Sequence, residues 1–270
     1  MNNAVCRPRI VILCGDDAHH HYLISELSRH QNVVCAVIEH GVLTETFRQK
    51  KFRKWFVLLY HRVRRTLTGS ADYRKSFFAV PGADALDETE LPPMLRVGNI
   101  NAEETVNAIR NASPDLIVVM GTGILKNSVL SACSAPIINI HGGCLPDYKG
   151  NHCFFFALLD RNFTKIASTI HLVDAGIDSG AIIARIHPTI LNSDTAESLY
   201  CRAEKQAIEY LNRLIDVYGS NITELAYAQE KNAGHLYYTK DRTLGCELRM
   251  LKVRCCMKKN NEIIVEGFID

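Results

Sequence analysis

Hydrophobic positions along this chain fall into short unbroken runs separated by stretches of helical spacing. Arg9-Ile-Val-Ile-Leu-Cys14 is almost wholly apolar and closes on Gly15, the pattern of a strand buried on both faces. Ala18 to Ser28 carries Tyr22, Leu23, Ile24 and Leu27 near helical spacing, and Val33 to Ile38 is a second strand. A β-α-β opening of this kind predicts a doubly wound, mostly parallel sheet. After an interruption the alternation resumes. A helix is expected over Ala102–Asn111 with Asn101 as its cap, a strand over Leu116–Met120, a helix over Leu125–Ala132 and a strand over Ile137–Ile140. A helix at Cys153–Leu159 and strands at Thr169–Val173 and Ala181–Ile186 follow. The longest helical pattern is Thr195–Tyr218, with Leu199, Ala203, Ala207, Leu211, Leu214 and Ile215 on one stripe and Asp194 as candidate cap. The last stretch has mixed signals and ends in an expected strand at Ile263–Phe268. The expected organisation is a domain over 1–219 and a small C-terminal extension over 220–270.

The interruption differs in character. Between residues 43 and 66, Arg48, Lys50, Lys51, Arg53, Lys54, Arg62, Arg64 and Arg65 alternate with Phe47, Phe52, Trp55, Phe56, Leu58 and Leu59. That is a basic amphipathic helix or helix pair. It is a solvated face over a core stripe, a source of arginine forks for phosphate, or a membrane-surface or RNA-binding segment. Leu67 to Leu91 reads as a looped stretch before Pro92-Pro93.

With 270 residues, 47% of them apolar, the chain can bury a substantial core, and a net charge of +2 makes no whole-protein case for nucleic acid or membrane. Its ten cysteines show no C-x-x-C spacing, as expected of free thiols in a reducing compartment. No apolar run reaches the ~18 residues of a membrane span. A cytoplasmic protein is expected.

The candidate chemistry lies between residues 137 and 183. In a strand, residues two apart share a face, so Asn139 and His141 project together at the end of their run, followed by Gly142-Gly143. Asp174-Ala-Gly-Ile-Asp178-Ser-Gly180 puts carboxylates on a glycine-flanked loop after the strand that holds His171. Alone, Asn139 could cap a turn, His141 could be a satisfied core histidine and Asp178 a turn former. Together, amide, imidazole and carboxylate on adjacent strand ends can polarise a carbonyl, stabilise an oxyanion and relay a proton. His19-His20-His21, His141, Cys144, His152 and Cys153 give no complete set of metal ligands, and no metal is expected.

The block Asn139-Ile-His141, Leu145-Pro146, Tyr148-Lys-Gly150, Thr169-Ile-His171 and Asp174-x-Gly-Ile-Asp178-x-Gly180 resembles the folate-dependent formyltransferase family. The resemblance runs from about residue 9 to residue 190 and implies that family's α/β, Rossmann-like sheet. It implies 10-formyltetrahydrofolate as co-substrate, with Asn139 and His141 on the formyl oxygen and Asp178 assisting proton movement. Asp178 would also hold His141 as the charged imidazolium. The pterin would rest on the loops bearing Gly121, Gly123, Ile124 and Leu125, and Val173, Ala175, Gly176 and Ile177. His152 and His171 would support the site. Gly142-Gly143 departs from the family's commoner Pro-Ser.

The resemblance leaves the amine open. Glycinamide ribonucleotide enzymes hold a phosphate on a Gly/Ser-rich first loop; here Asp16 and Asp17 would repel one unless neutralised. The residues after 219 are too few for the barrel domain of methionyl-tRNA formyltransferases. The acceptor expected is a small primary amine, most often an amino-sugar nucleotide of the kind used in lipopolysaccharide O-antigen synthesis. Alternatives are hydroxyornithine, a formyl hydrolase, or a folate-binding protein without turnover. Neither nucleic acid nor a membrane is expected as partner, and a homodimer is left open.

Overall fold

Among the described residues, twelve strands and eight helices build the fold. In chain order the strands are β1 (Arg9–Cys14), β2 (Asn32–Glu39), β3 (Met94–Val97), β4 (Leu116–Met120), β5 (Ile137–His141), β6 (Tyr148–Gly150), β7 (Ser168–Leu172), β8 (Ile182–His187), β9 (Ile190–Leu191), β10 (His235–Tyr237), β11 (Ile263–Val265) and β12 (Phe268–Ile269). The helices are α1 (Ala18–His30), α2 (Phe52–Leu67), α3 (Ser70–Phe77), α4 (Glu103–Ala112), α5 (Asn127–Leu130), α6 (Cys153–Leu159), α7 (Ala196–Tyr218) and α8 (Leu244–Met257). The structure, a computed structural model, describes residues 7–41, 51–79, 91–230, 233–257 and 263–270.

Eight strands form one sheet in the order β12-β8-β7-β5-β4-β1-β2-β3. The run from β3 to β5 is parallel, and β7, β8 and β12 extend it antiparallel. This is the α/β, mostly parallel Rossmann-like sheet that the alternating pattern predicts. Both faces are covered, which is why its strands read as continuous apolar runs. On β1, Ile10 and Ile12 pack with Leu23, Leu27, Ile208 and Leu211 of α1 and α7. Val11 and Leu13 point the other way, to Val106 and Ile109 of α4 and Val129 of α5. Each such side chain removed from water contributes roughly 1.5–3 kcal/mol.

Local differences from the expected elements have local causes. Asn101 does not cap α4; Ala102 does, and the Asn101 side chain accepts from Lys126 N and donates to Ile124 O, tying two loops together. Residues 124–126 lie outside the helix, and α5 spans only Asn127–Leu130. For α7 the cap is Thr195, whose hydroxyl accepts from Ser198 N at 3.0 Å, while Asp194 pairs with Arg202. Within the basic stretch, α2 runs from Phe52 to Leu67; residues 43–50 lie outside the described residues. Helix α3 occupies part of the expected loop, whose residues 80–90 lie outside them too.

The residues after 219 return to the body of the fold. Strand β10 pairs with β6, and Met250, Val253 and Met257 of α8 pack against Phe154, Phe155 and Phe156. The strand expected at Ile263–Phe268 is split: β11 pairs with β9 and β12 with β8, the chain stepping between them where Gly267 N donates to Thr189 Oγ1. Among the described residues no helix is long and apolar enough to cross a membrane.

Candidate active site

Strand β5 sends Asn139 and His141 to one face, and the antiparallel pairing with β7 sets His171 directly opposite Asn139. His171 Nδ1 lies 2.8 Å from Leu172 O, and a carbonyl can only accept, so Nδ1 carries the proton. His171 Nε2 is then the acceptor, and it takes an N–H from Asn139 Nδ2 at 3.1 Å. Burial first, and then the neighbouring His141, pushes the His171 pKa down to about 4, so the ring is neutral and the tautomer holds. One amide N–H of Asn139 is fixed in this way and the other remains to donate.

His141 is positioned by the same logic. Its Nε2 donates to Tyr148 O at 3.1 Å, and its Nδ1 lies 3.6 Å from Asp178 Oδ2. The nitrogen able to act on a bound molecule is therefore Nδ1. Behind the ring, the Cys153 thiol lies 3.7 Å from Nε2, its pKa raised well above the ordinary range by burial, so it stays a thiol.

Asp178 reaches the pair by an indirect route. Because β7 is antiparallel, its loop leaves beside Ile137, at the start of β5 (Val173 N donates to Ile137 O). The site is thus not built on adjacent strand ends, as the sequence alone suggests; the β7–β8 loop folds back over the side-chain face. Asp178 has a left-handed backbone, φ 51°, uncommon outside glycine. Three contacts hold it: Gly150 N donates to Oδ2 at 2.7 Å, and Gln229 Nε2 donates to the carbonyls of Asp178 and Gly180. Asp178 Oδ1 takes no hydrogen bond among the described residues and lies 3.9 Å from His171 Nε2. Gln229, which holds this loop through backbone carbonyls without lining the cleft, is not flagged by the sequence, since it stands in a stretch without periodicity.

These groups open into a cleft of about 920 Å³. Gly121, Gly123, Ile124, Leu125, Val173, Gly176 and Ile177 all line it. Ala175 does not. Asp174 Oδ1 closes a turn by accepting from Gly176 N and Ser179 Oγ, which leaves Ala175 at the exposed outer position. Ile124 and Ile177 are 68% and 37% exposed, leaving apolar surface on both loops for a flat ring to cover. The two glycines after His141 have packing reasons. A Cβ on Gly142 would stand 2.7 Å from the Tyr200 ring, and one on Gly143 would meet Tyr148 O and Cys153.

His152 also lines the cleft, at φ 61°, stacked on His61 with ring centroids 4.9 Å apart. Burial, then the charge of Arg242, holds it well below the ordinary histidine pKa, so it is neutral. Glu204, fully buried beside Gly142 and accepting from Ser168 Oγ at 2.7 Å, is pushed up to about 7 by burial. Among the described residues no cluster of His, Cys, Asp or Glu could hold a metal ion.

The first loop departs from expectation. Its carboxylates are neutralised: Asp17 pairs with Arg65 and Arg74, and Asp16 with Arg96 and His21. The repulsion of a phosphate expected from them is therefore offset. The His20 ring lies where a Cβ on Gly15 or Gly121 would go, and its Nδ1 accepts from Asp17 N at the start of α1.

The family model of formyl transferase matches residues 74–215, more than half of the chain. Methionyl-tRNA formyltransferase of Geobacter sulfurreducens is 31% identical over 138 residues, covering 51% of this chain and 43% of that protein. The chain spans about half the length of the curated relatives it matches. Among solved structures, a sugar N-formyltransferase from Shewanella sp FDAARGOS_354 superposes with TM-score 0.56 at 16% identity over 91% of this chain and 87% of that one. WlaRD, a sugar 3N-formyl transferase crystallised in the presence of dTDP and 5-N-formyl-THF, gives 0.55 at 14% identity over 91% and 78%. At these identities the superpositions speak to the fold, and the sequence match carries the relationship: the chain belongs to the formyl transferase family.

Proposed function

We propose that this protein transfers a formyl group from 10-formyltetrahydrofolate to the primary amine of a small, nucleotide-linked amino sugar. The observation that carries the reading is the meeting of Asn139, His141, His171 and Asp178 in one cleft of ligand size. The folate co-substrate fits the loops around Gly121–Leu125 and Val173–Ile177, whose exposed isoleucines and open backbone offer apolar and polar contacts side by side. When bound, it supplies an activated formyl carbon.

Each residue then has a distinct task. The free N–H of Asn139 and the Nδ1 side of His141 face the charge that develops on the formyl oxygen; such a donor is typically worth ~10²–10³ in rate. His171 spends no charge on the reaction. It fixes which end of the Asn139 amide faces the cleft. Asp178 holds His141 through Oδ2 and has Oδ1 available for the proton that the attacking amine must lose.

A small acceptor is favoured by the size of the cleft, about 920 Å³, and a nucleotide-linked sugar by the kind of molecule named for the structural neighbours. The names of the sequence relatives support a second reading, methionyl-tRNA as acceptor. Incubation with 10-formyltetrahydrofolate and a panel of amino-sugar nucleotides, hydroxyornithine, glycinamide ribonucleotide and methionyl-tRNA separates them. Gain of one formyl group by an amino-sugar nucleotide is the expected result. Formylation of methionyl-tRNA alone would replace the first reading with the second.

A further inference from the structure

Beyond His152, the cleft holds more positive charge than the protein neutralises. Arg64 of α2, Arg242 just before α8 and Arg254 on α8 all line it. One carboxylate, Glu247, serves the first two: Arg242 Nε donates to its Oε1 at 2.7 Å, and Arg64 Nε stands 3.5 Å from the same oxygen. Arg64 Nε is buried without a hydrogen-bond partner. Burial and the adjacent Arg242 charge both push the Arg64 guanidinium below its ordinary pKa. Arg254 has no hydrogen bond or ion pair among the described residues, and its Nε is buried as well. The histidines beside Arg64 and Arg242, His61 and His152, are both held neutral by burial. Arg64 and Arg242 thus share one carboxylate and Arg254 has none, an arrangement that is costly until an anion joins it.

The corner is within reach of the formyl site. Gly150 N is bonded to Asp178, and His152 is two residues further on, at most ~7 Å along the chain. His152 stacks on His61, one helical turn before Arg64. Planar guanidinium forks match phosphate oxygens better than any other side chain does.

We propose that Arg64, Arg242 and Arg254 form a subsite for the phosphate or diphosphate group of the acceptor. The word acceptor rests on the formyl-transfer reading; the anion subsite does not. It gives the basic helix and the C-terminal helix a joint purpose: each contributes arginine to the cleft.

Titration calorimetry with inorganic pyrophosphate tests this, using the full chain, Arg254→Gln, Arg64→Gln and the control Arg96→Gln, whose arginine pairs with Asp16 outside the cleft. Saturable binding is expected, weakened at least ~10-fold by Arg254→Gln and by Arg64→Gln and unchanged by Arg96→Gln. Arg254→Gln breaks no internal bond, so it decides the question even if Arg64→Gln folds poorly. No saturable binding, or equal affinity in the wild type and Arg254→Gln, overturns the subsite. A parallel titration with 5-formyltetrahydrofolate keeps the two readings apart: pyrophosphate binding without folate binding supports the subsite while removing formyl transfer.

Discussion

Asn139 has two amide N–H groups, and His171 takes one of them. That single bond decides which end of the carboxamide faces the cleft, so the role of Asn139 depends on a histidine 32 residues away. Asn139→Ala should lower kcat by ~10²–10³ with the fold intact, checked by steady-state formyl transfer alongside circular dichroism. A change under threefold would remove the amide from the chemistry. At this scale Asn139, His141 and Asp178 were legible because strand alternation and a glycine-flanked loop mark them. Gln229 and the lone carbonyl of Tyr148 were not, since long-range bonds to backbone leave no trace in local pattern.

Helix ends and helix faces carry the next level. Helix α7 was readable as an element because its apolar stripe keeps helical spacing for 23 residues, yet its cap is Thr195 rather than Asp194. Two adjacent residues of capping type cannot be ranked without knowing that Arg202 claims Asp194. Thr195→Ala should cost about 1 kcal/mol in urea unfolding, and no loss would show the cap to be redundant. Helix α8 escaped detection for the opposite reason. Leu244, Leu248 and Leu251 are exposed while Met250, Val253 and Met257 are buried, so apolar residues surround it and no stripe stands out. Helix α2 was legible as basic and amphipathic, but nothing in its sequence tells that Arg64 turns toward the cleft.

Across the whole molecule, buried titratable groups set the response to pH. His19, His20, His152 and His171 are all held below the ordinary 6.5, chiefly by burial, His20 at about 3 and His171 at about 4. Below pH 6.5 the unfolded chain binds protons on these rings that the folded chain does not, so their contribution is complete above 6.5 and lost on acidification toward 4. Glu204 opposes them. Raised from 4.5 to about 7, it keeps a proton that the unfolded chain gives up between those values, so its contribution falls as pH rises through that window. His61 and His187 are lowered by burial as well, so six histidines stand against Glu204 and give a net loss on acidification. The urea midpoint should therefore drop between pH 7 and pH 5; an equal or higher midpoint at pH 5 would contradict the burial of these histidines. The parallel half of the sheet was plain from β-α-β alternation. The antiparallel turn at β7 was not, because a strand run carries no direction, and that turn is what makes the Asp178 loop fold back over the site.

The most direct measurement is the rate of formyl transfer by Asp178→Asn, taken together with its affinity for 5-formyltetrahydrofolate. Unchanged folate affinity with kcat lowered by ~10²–10⁴ is the outcome expected of a proton acceptor held by Gly150 N and Gln229. Turnover at the wild-type rate would mean that the carboxylate beside His141 takes no part in the reaction.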